Sequence, residues 1–342
     1  MPKKDTSPQR VDIGGQAVLE GVMMKAPDSI AIAVRKPDGS ICVKCDPYVS
    51  PARKHKWMGW PVVRGAVNMV NMLVMGMNTL EASSRMLGVE EEEPTKFEKW
   101  LSKTFGKSID KIVMGVAIVL AVCLSVGLFM VIPSIFATLV NKVVKSLLVV
   151  NLCSGVVRIL ILIAYIWGCG KIPDMRRTFE YHGAEHKTVY CHEAGLELTP
   201  QNAKQFSTLH PRCGTSFLLI TMIIAILAGA VVDQLLHAIF GVERLTFLAR
   251  LARSIILLPL IAGISYETLK GLAHSDNKLV RALRWPGLML QHLTTREPDE
   301  KQLEVAIASM KAALAGKKMP ETILGKDGAA AENAEDAPET NE

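Results

Sequence analysis

Four long apolar runs dominate the chain, at 112–140, 147–169, 215–240 and 246–271. Each exceeds the ~20 residues that cross a hydrocarbon core of ~30 Å, so each reads as a transmembrane helix. The polar stretches between them are unequal. Segments 141–146 and 241–245 are short, whereas 170–214 is long and rich in charge, histidine and cysteine. Upstream, 57–80 is apolar but interrupted by Arg64, Asn68, Asn71 and Asn78, and by Gly59, Pro61, Gly65 and Gly76. That is too polar for a span, and the expectation is a helix lying on the membrane or packed on the bundle.

Near the N-terminus the period changes to two. Val18, Glu20, Val22 and Met24 alternate with Leu19, Gly21 and Met23, which suits one short strand. Gly14-Gly15 before it suggests a tight turn or a close backbone approach. Ile30-Ala31-Ile32-Ala33-Val34 and Ile41-Cys42-Val43-Lys44-Cys45 flank Pro37-Asp38-Gly39, where Pro presets φ and Gly accepts φ > 0, so a β-hairpin is expected. The acidic run 90–93 is a solvated break, and 95–107 reads as a short amphipathic helix. Beyond the spans, 278–285 is a basic surface helix anchored by Trp285 and broken by Pro286, followed by a helix from about Asp299 to Ala315.

The expected fold class is therefore a mainly α membrane protein, a four-span helical bundle with a small β-rich N-terminal unit. Residues 1–10 form a disordered tail, 11–56 the β-rich unit and 57–111 the interfacial helices. Residues 112–271 form the bundle, with 170–214 as its site loop. Residues 272–316 make a helical C-terminal segment, and 317–342, rich in Ala, Glu, Asp and Asn, a second disordered tail.

Composition sharpens this picture. Of 342 residues, 49% are hydrophobic and 21% charged, and the net charge is +6. Mean hydropathy is +0.25, so the basic balance points to an anionic bilayer as partner and not to nucleic acid. Lys and Arg crowd 1–111 and 170–214 and are sparse in 141–146 and 241–245. Both termini and the long loop are thus expected on the cytoplasmic side of the membrane. Met1-Pro2-Lys3-Lys4-Asp5 leads into no apolar segment, so no signal peptide is expected. The seven cysteines are scattered, three of them inside apolar runs, which argues against a disulfide framework. Cys42 and Cys45 have CxxC spacing, but three residues along a strand face opposite sides.

The candidate chemistry lies in the long loop. Tyr181-His182-Gly183-Ala184-Glu185-His186, then Cys191-His192-Glu193, then His210-Pro211-Arg212-Cys213 hold four of the eight histidines. His182 and His186 are one helical turn apart and can grip one divalent metal ion, zinc by donor type, with Glu185 beside it as general base. The pattern His-x-x-Glu-His is that of a class of metalloproteases. His210, Cys213 and Glu267 reach the same depth by topology and are further candidate ligands. His210 and Cys213 alternatively form a separate structural site with Cys191 and His192. Inside the spans, Arg158 and Asp233 are a candidate ion pair, since each charge needs a partner there.

Gly14 to Met24, Glu180-Tyr181-His182-Gly183-Ala184-Glu185-His186-Lys187, His210 to Phe217, Ser265-Tyr266-Glu267 and Leu293-Thr294-Thr295-Arg296-Glu297-Pro298 together resemble the YqhQ-like family of bacterial membrane proteins. That family carries the description of a predicted metal-dependent enzyme. The resemblance implies that Gln16, Glu20 and Arg296 line the same site, with Arg212 between two candidate ligands. Two functions are expected from these readings. The first is a metal-dependent hydrolase of unknown substrate. The second is a non-catalytic membrane scaffold or assembly factor, whose metal or polar cluster is structural and whose partner is another membrane protein.

Overall fold

The structure is a computed structural model that describes residues 13–88, 109–242, 245–273 and 277–325. The short helix expected at 95–107, the N-terminal tail and most of the C-terminal tail lie outside these residues. The helices are α1 (Pro51–Lys54), α2 (Val63–Leu87), α3 (Ile109–Val126), α4 (Ile132–Val143), α5 (Leu147–Cys169), α6 (Pro173–Glu193), α7 (Pro200–Lys204), α8 (Gly214–Phe240), α9 (Phe247–Ala273), α10 (Lys278–Thr294) and α11 (Glu300–Ala315). A π-helical turn, Gly127–Val131, joins α3 to α4.

The alternating N-terminal stretch folds back on itself instead of forming one strand. β1 (Gly14–Val18) and β2 (Gly21–Lys25) pair antiparallel around Leu19 and Glu20. Glu20 sits at φ 49, in the left-handed region. A Cβ on Gly21 would lie 2.1 Å from the Ala33 carbonyl oxygen, so only glycine allows the turn to press on the next strand. β3 (Ser29–Arg35) and β4 (Ile41–Pro47) form the expected hairpin. β5 (Met319–Leu324) adds to the far side of β4, giving the order β1-β2-β3-β4-β5. The disordered tail expected from residue 317 therefore begins too early. Met319 and Leu324 pack on the core beneath the sheet, and Pro320 is tolerated because β5 is an edge.

The sheet is covered on both faces. One face carries Val22, Met24, Ala31, Ala33, Val43 and Cys45 against Tyr181 and Ala184 of α6 and Leu303, Ala306 and Met310 of α11. The other carries Val18, Met23, Ile32, Val34 and Cys42 against Met75, Met86 and Leu87 of α2. Cys42 and Cys45 thus lie on opposite faces. Helix α11 starts with a capping box, Asp299 and Gln302, which satisfies two N-terminal donors reciprocally.

Four helical stretches, Gly115–Val143, Leu147–Cys169, Gly214–Phe240 and Phe247–Leu272, are long and apolar enough to cross a membrane. Most of their apolar surface faces outward, the reverse of a water-soluble bundle, and the chain is a multi-pass membrane protein. Helix α2 is not one of the four. It joins sheet to bundle: a Cβ on Gly65 would lie 2.7 Å from the Gly263 Cα, so the backbones of α2 and α9 touch there. Its opposite side exposes Val70, Leu73, Val74 and Met77.

Pro286 does not break α10, contrary to expectation. The helix runs on to Thr294 because its far half packs on α8 and α5: Leu290 joins Leu162, Ile166 and Leu219, and a Cβ on Gly287 would meet the Ser216 side chain at 2.9 Å. This burial outweighs the one backbone hydrogen bond that proline removes.

Candidate metal centre

Helix α6 leaves the end of α5 and carries the histidine pattern between the sheet and the bundle. Pro173 opens it, where a missing N–H is harmless. The polar face then carries the chemistry. Glu185 is 5% exposed, His186 1% and Cys213 8%. One ligand atom each from His182, His186 and Cys213 lies within 4.8 Å of the others, a grouping able to hold a metal ion.

The protonation of the two imidazoles follows from their partners. His182 Nδ1 lies 2.8 Å from the Thr294 carbonyl oxygen, and His186 Nδ1 lies against the Thr208 carbonyl oxygen. A carbonyl only accepts, so both Nδ1 atoms carry the hydrogen, the tautomer that in a neutral imidazole leaves Nε2 with a lone pair. His182 Nε2 is 3.2 Å from Cys213 Sγ. His186 Nε2 is buried and has no hydrogen-bond partner. A backbone carbonyl behind each imidazole is how proteins orient histidine ligands, and an unpaired buried acceptor is costly unless something fills it. Cys213 caps α8 and accepts from the Thr215 N–H at 3.4 Å, which holds its sulfur at the same point.

Glu185 stands beside the three. Its Oε2 is 3.4 Å from His186 Nε2. Over it lies β1, where a Cβ on Gly15 would come 2.7 Å from Glu185 Cγ and 2.6 Å from the Met23 carbonyl oxygen. Gly15 is therefore the close approach anticipated for the glycine pair.

The supporting shell comes from distant segments. The Arg296 carbonyl crosses α6 at Gly183, where a Cβ would lie 2.0 Å from its oxygen, and the Arg296 N–H donates to the Phe179 carbonyl at 2.9 Å. Lys187, buried, donates to the Lys204 and Phe206 carbonyls at 2.9 and 2.7 Å and pairs with Glu297 at 2.6 Å. Gln291 accepts from the His210 N–H at 2.7 Å and donates to the His210 carbonyl at 2.8 Å, clamping that loop to α10.

The other expected site residues go to different places. His210 packs next to the cluster, its ring centroid 5.5 Å from that of His186 and 4.6 Å from that of Tyr190. Burial holds its imidazole below the ordinary value, against the opposing charge of Glu185. Arg212 pairs with Glu193. Cys191 is buried below the sheet, its thiol directed at the Glu197 carbonyl, and so does not join Cys213. Gln16 faces Gly76 of α2, away from Glu185. Glu20 holds Arg177 and accepts from the Tyr181 hydroxyl at 3.3 Å, at the far end of the hairpin. Arg296 reaches the site through its backbone.

Two expectations are corrected. Glu267 does not reach the cluster. It accepts two hydrogen bonds from Arg64, at 2.6 and 2.5 Å, and so fastens α2 to α9. Depth in the bundle was legible, but the side of the helix on which Glu267 falls was not. Asp233 binds Arg253 and Asn151 instead of Arg158. Arg253 lies on the neighbouring helix α9, and the pair is fixed by packing that a hydropathy pattern does not specify.

Thr208, Thr294 and Lys187 were not legible as site residues, although Thr294 and Lys187 stand within the family-like segments. Thr208 and Thr294 act through carbonyls, which every residue possesses. Gln291 left a trace, as a polar position after Leu288-Met289-Leu290.

Comparison with known proteins agrees with this picture. Residues 60–316 match a family described as "Protein of unknown function (DUF1385)". The chain is 32% identical over 306 residues to "Uncharacterized protein YqhQ" of Bacillus subtilis (strain 168), covering 86% of this chain and 90% of that one. No solved structure matches. The chain carrying this His-His-Cys cluster at the foot of a membrane bundle therefore belongs to the DUF1385 family, with YqhQ as a relative.

Proposed function

We propose that the protein is a metal-dependent hydrolase of the bacterial membrane, with its site on the cytoplasmic face. The observation that carries this reading is the pair of histidines whose Nδ1–H groups are tied to backbone carbonyls, leaving both Nε2 lone pairs beside Cys213 Sγ. His182, His186 and Cys213 would hold the ion. Two nitrogens and one sulfur suit zinc, and three protein ligands leave a position open. A bound zinc ion would supply Lewis acidity, polarising a carbonyl and making water more acidic.

Glu185 is the general base in this reading. It is buried, it adjoins His186 Nε2, and it can take a proton from water and deliver it to the leaving group. The clustering of Lys and Arg in 1–111 and 170–214 supports a cytoplasmic site through the positive-inside rule.

Metal content by mass spectrometry on detergent-purified protein tests the site. His182→Ala and Cys213→Ala should lose metal, Glu267→Ala should keep it, and Glu185→Gln should keep both metal and fold. Rescue of the defect caused by deleting the gene tests the chemistry: Glu185→Gln should fail by ~10²-fold or more in activity, the scale of general-base catalysis. Full rescue by metal-loaded Glu185→Gln would leave a structural metal in a membrane scaffold as the reading.

A further inference from the structure

Resting on the hydrolase reading, we infer that the substrate is an extended polypeptide, held as an added strand on the free edge of β1. Among the described residues β1 has a partner on one side only. Val18 and Gly21 close a two-residue connection, so that pair shares its hydrogen bonds, as do Gln16 with Met23 and Gly14 with Lys25. Gly15 and Ala17 therefore turn their N–H and C=O groups to the other edge. Among the described residues none of these four groups has a hydrogen-bond partner.

An open strand edge is an aggregation hazard, and proteins blunt such edges with proline, charge or bulges. β1 reads Gly14-Gly15-Gln16-Ala17-Val18 and has none of these, whereas the opposite edge, β5, has Pro320 and Glu321. Gly14 is exposed, and a Cβ there would have nothing within 4 Å. The exposed Gly14 thus directly precedes Gly15, the residue that touches Glu185.

The register joins edge to chemistry. Gly15 touches Glu185, and Glu185 adjoins His186 Nε2. A strand added ~4.8 Å from β1 carries its backbone past both. Donors and acceptors alternating at strand spacing are matched by another backbone and not by an acyl chain or a sugar, which is the basis of β-augmentation. The peptide carbonyl opposite Gly15 is the one attacked. Water adds across its C–N bond, the oxygen bonding to the carbonyl carbon. Glu185 receives one proton from the water and transfers it to the departing amine, so no further reactant is needed.

Four probes on the zinc-loaded full chain in detergent, read by calorimetry, test this. They are acetohydroxamate, a tri-alanine hydroxamate, its backbone N-methylated twin, and octanoyl hydroxamate. Tri-alanine hydroxamate should bind about tenfold more tightly than acetohydroxamate, the scale of a pair of net hydrogen bonds. N-methylation should remove that gain. Ala17→Pro deletes an outward N–H without touching the β1–β2 ladder, and should remove it too while leaving acetohydroxamate affinity unchanged. Should Ala17→Pro not fold, the N-methylated twin on the unaltered protein decides alone. Equal binding of the tri-alanine probe and acetohydroxamate, or tighter binding of the octanoyl probe, overturns the peptide assignment while the metal site stands. Absence of acetohydroxamate binding overturns the metal site and the peptide assignment together.

Discussion

The carbonyl oxygen of Arg296 occupies the space that a side chain at Gly183 would need: a Cβ there would lie 2.0 Å from it. This contact lets the segment after α10 cross α6, and the same crossing brings the Thr294 carbonyl to His182 Nδ1 at 2.8 Å. A glycine that looks like a flaw in a helix is thus what allows His182 to be oriented.

Gly183→Ala should push the 294–296 segment off α6 and release His182. Overpacking of this kind typically costs ~1–3 kcal/mol. The expected result is a lower midpoint in thermal unfolding together with reduced metal content. An unchanged metal content in a destabilised protein would show that the crossing serves packing alone.

The intramembrane ion pair makes a separate prediction. The Arg253 and Asp233 side chains are 12% and 16% exposed. Removing one partner of a buried pair leaves a bare charge, at about 3–5 kcal/mol. Arg253→Ala should therefore lower the unfolding midpoint strongly. The double change Arg253→Asp with Asp233→Arg should recover part of that loss, whereas Arg158→Asp with Asp233→Arg should recover none.

Cys42 and Cys45 should be inert. Burial pushes both thiols up from their ordinary value, and they sit on opposite faces of the sheet. N-ethylmaleimide at neutral pH should label neither in the folded protein and both after denaturation. A Cys42–Cys45 disulfide in native protein would contradict the sheet itself.

His210 predicts an acid-side loss of stability. Its folded value is depressed by burial, so the unfolded chain binds the proton more readily. The stability of the neutral form is complete above the unfolded value of about 6.5 and is lost as pH falls from there toward the folded value. Metal-free protein should melt at a lower temperature at pH 5 than at pH 7. His210→Phe should reduce that difference, and an equal difference in both proteins would refute the assignment.

Much of the architecture was legible in the residues because it rests on local periodicity. Runs of some twenty apolar residues define a span without reference to anything else. Pro37-Asp38-Gly39 defines a hairpin, and the i, i+4 spacing of His182 and His186 puts them on one face of α6 once a helix forms. Cys213 joined them because the start of α8 fixes its depth. The tertiary structure decided what depends on the angle between elements. It sent Glu267 to Arg64 and Asp233 to Arg253, since the side of a helix that meets a neighbour is set by packing of the whole bundle. It carried α10 through Pro286 because burial of Leu290 against α5 and α8 outweighs one backbone hydrogen bond. It also chose the carbonyls of Thr208 and Thr294 as supports for the histidines. Every residue has a carbonyl, so only the path of the chain in space determines which one lies behind a ring.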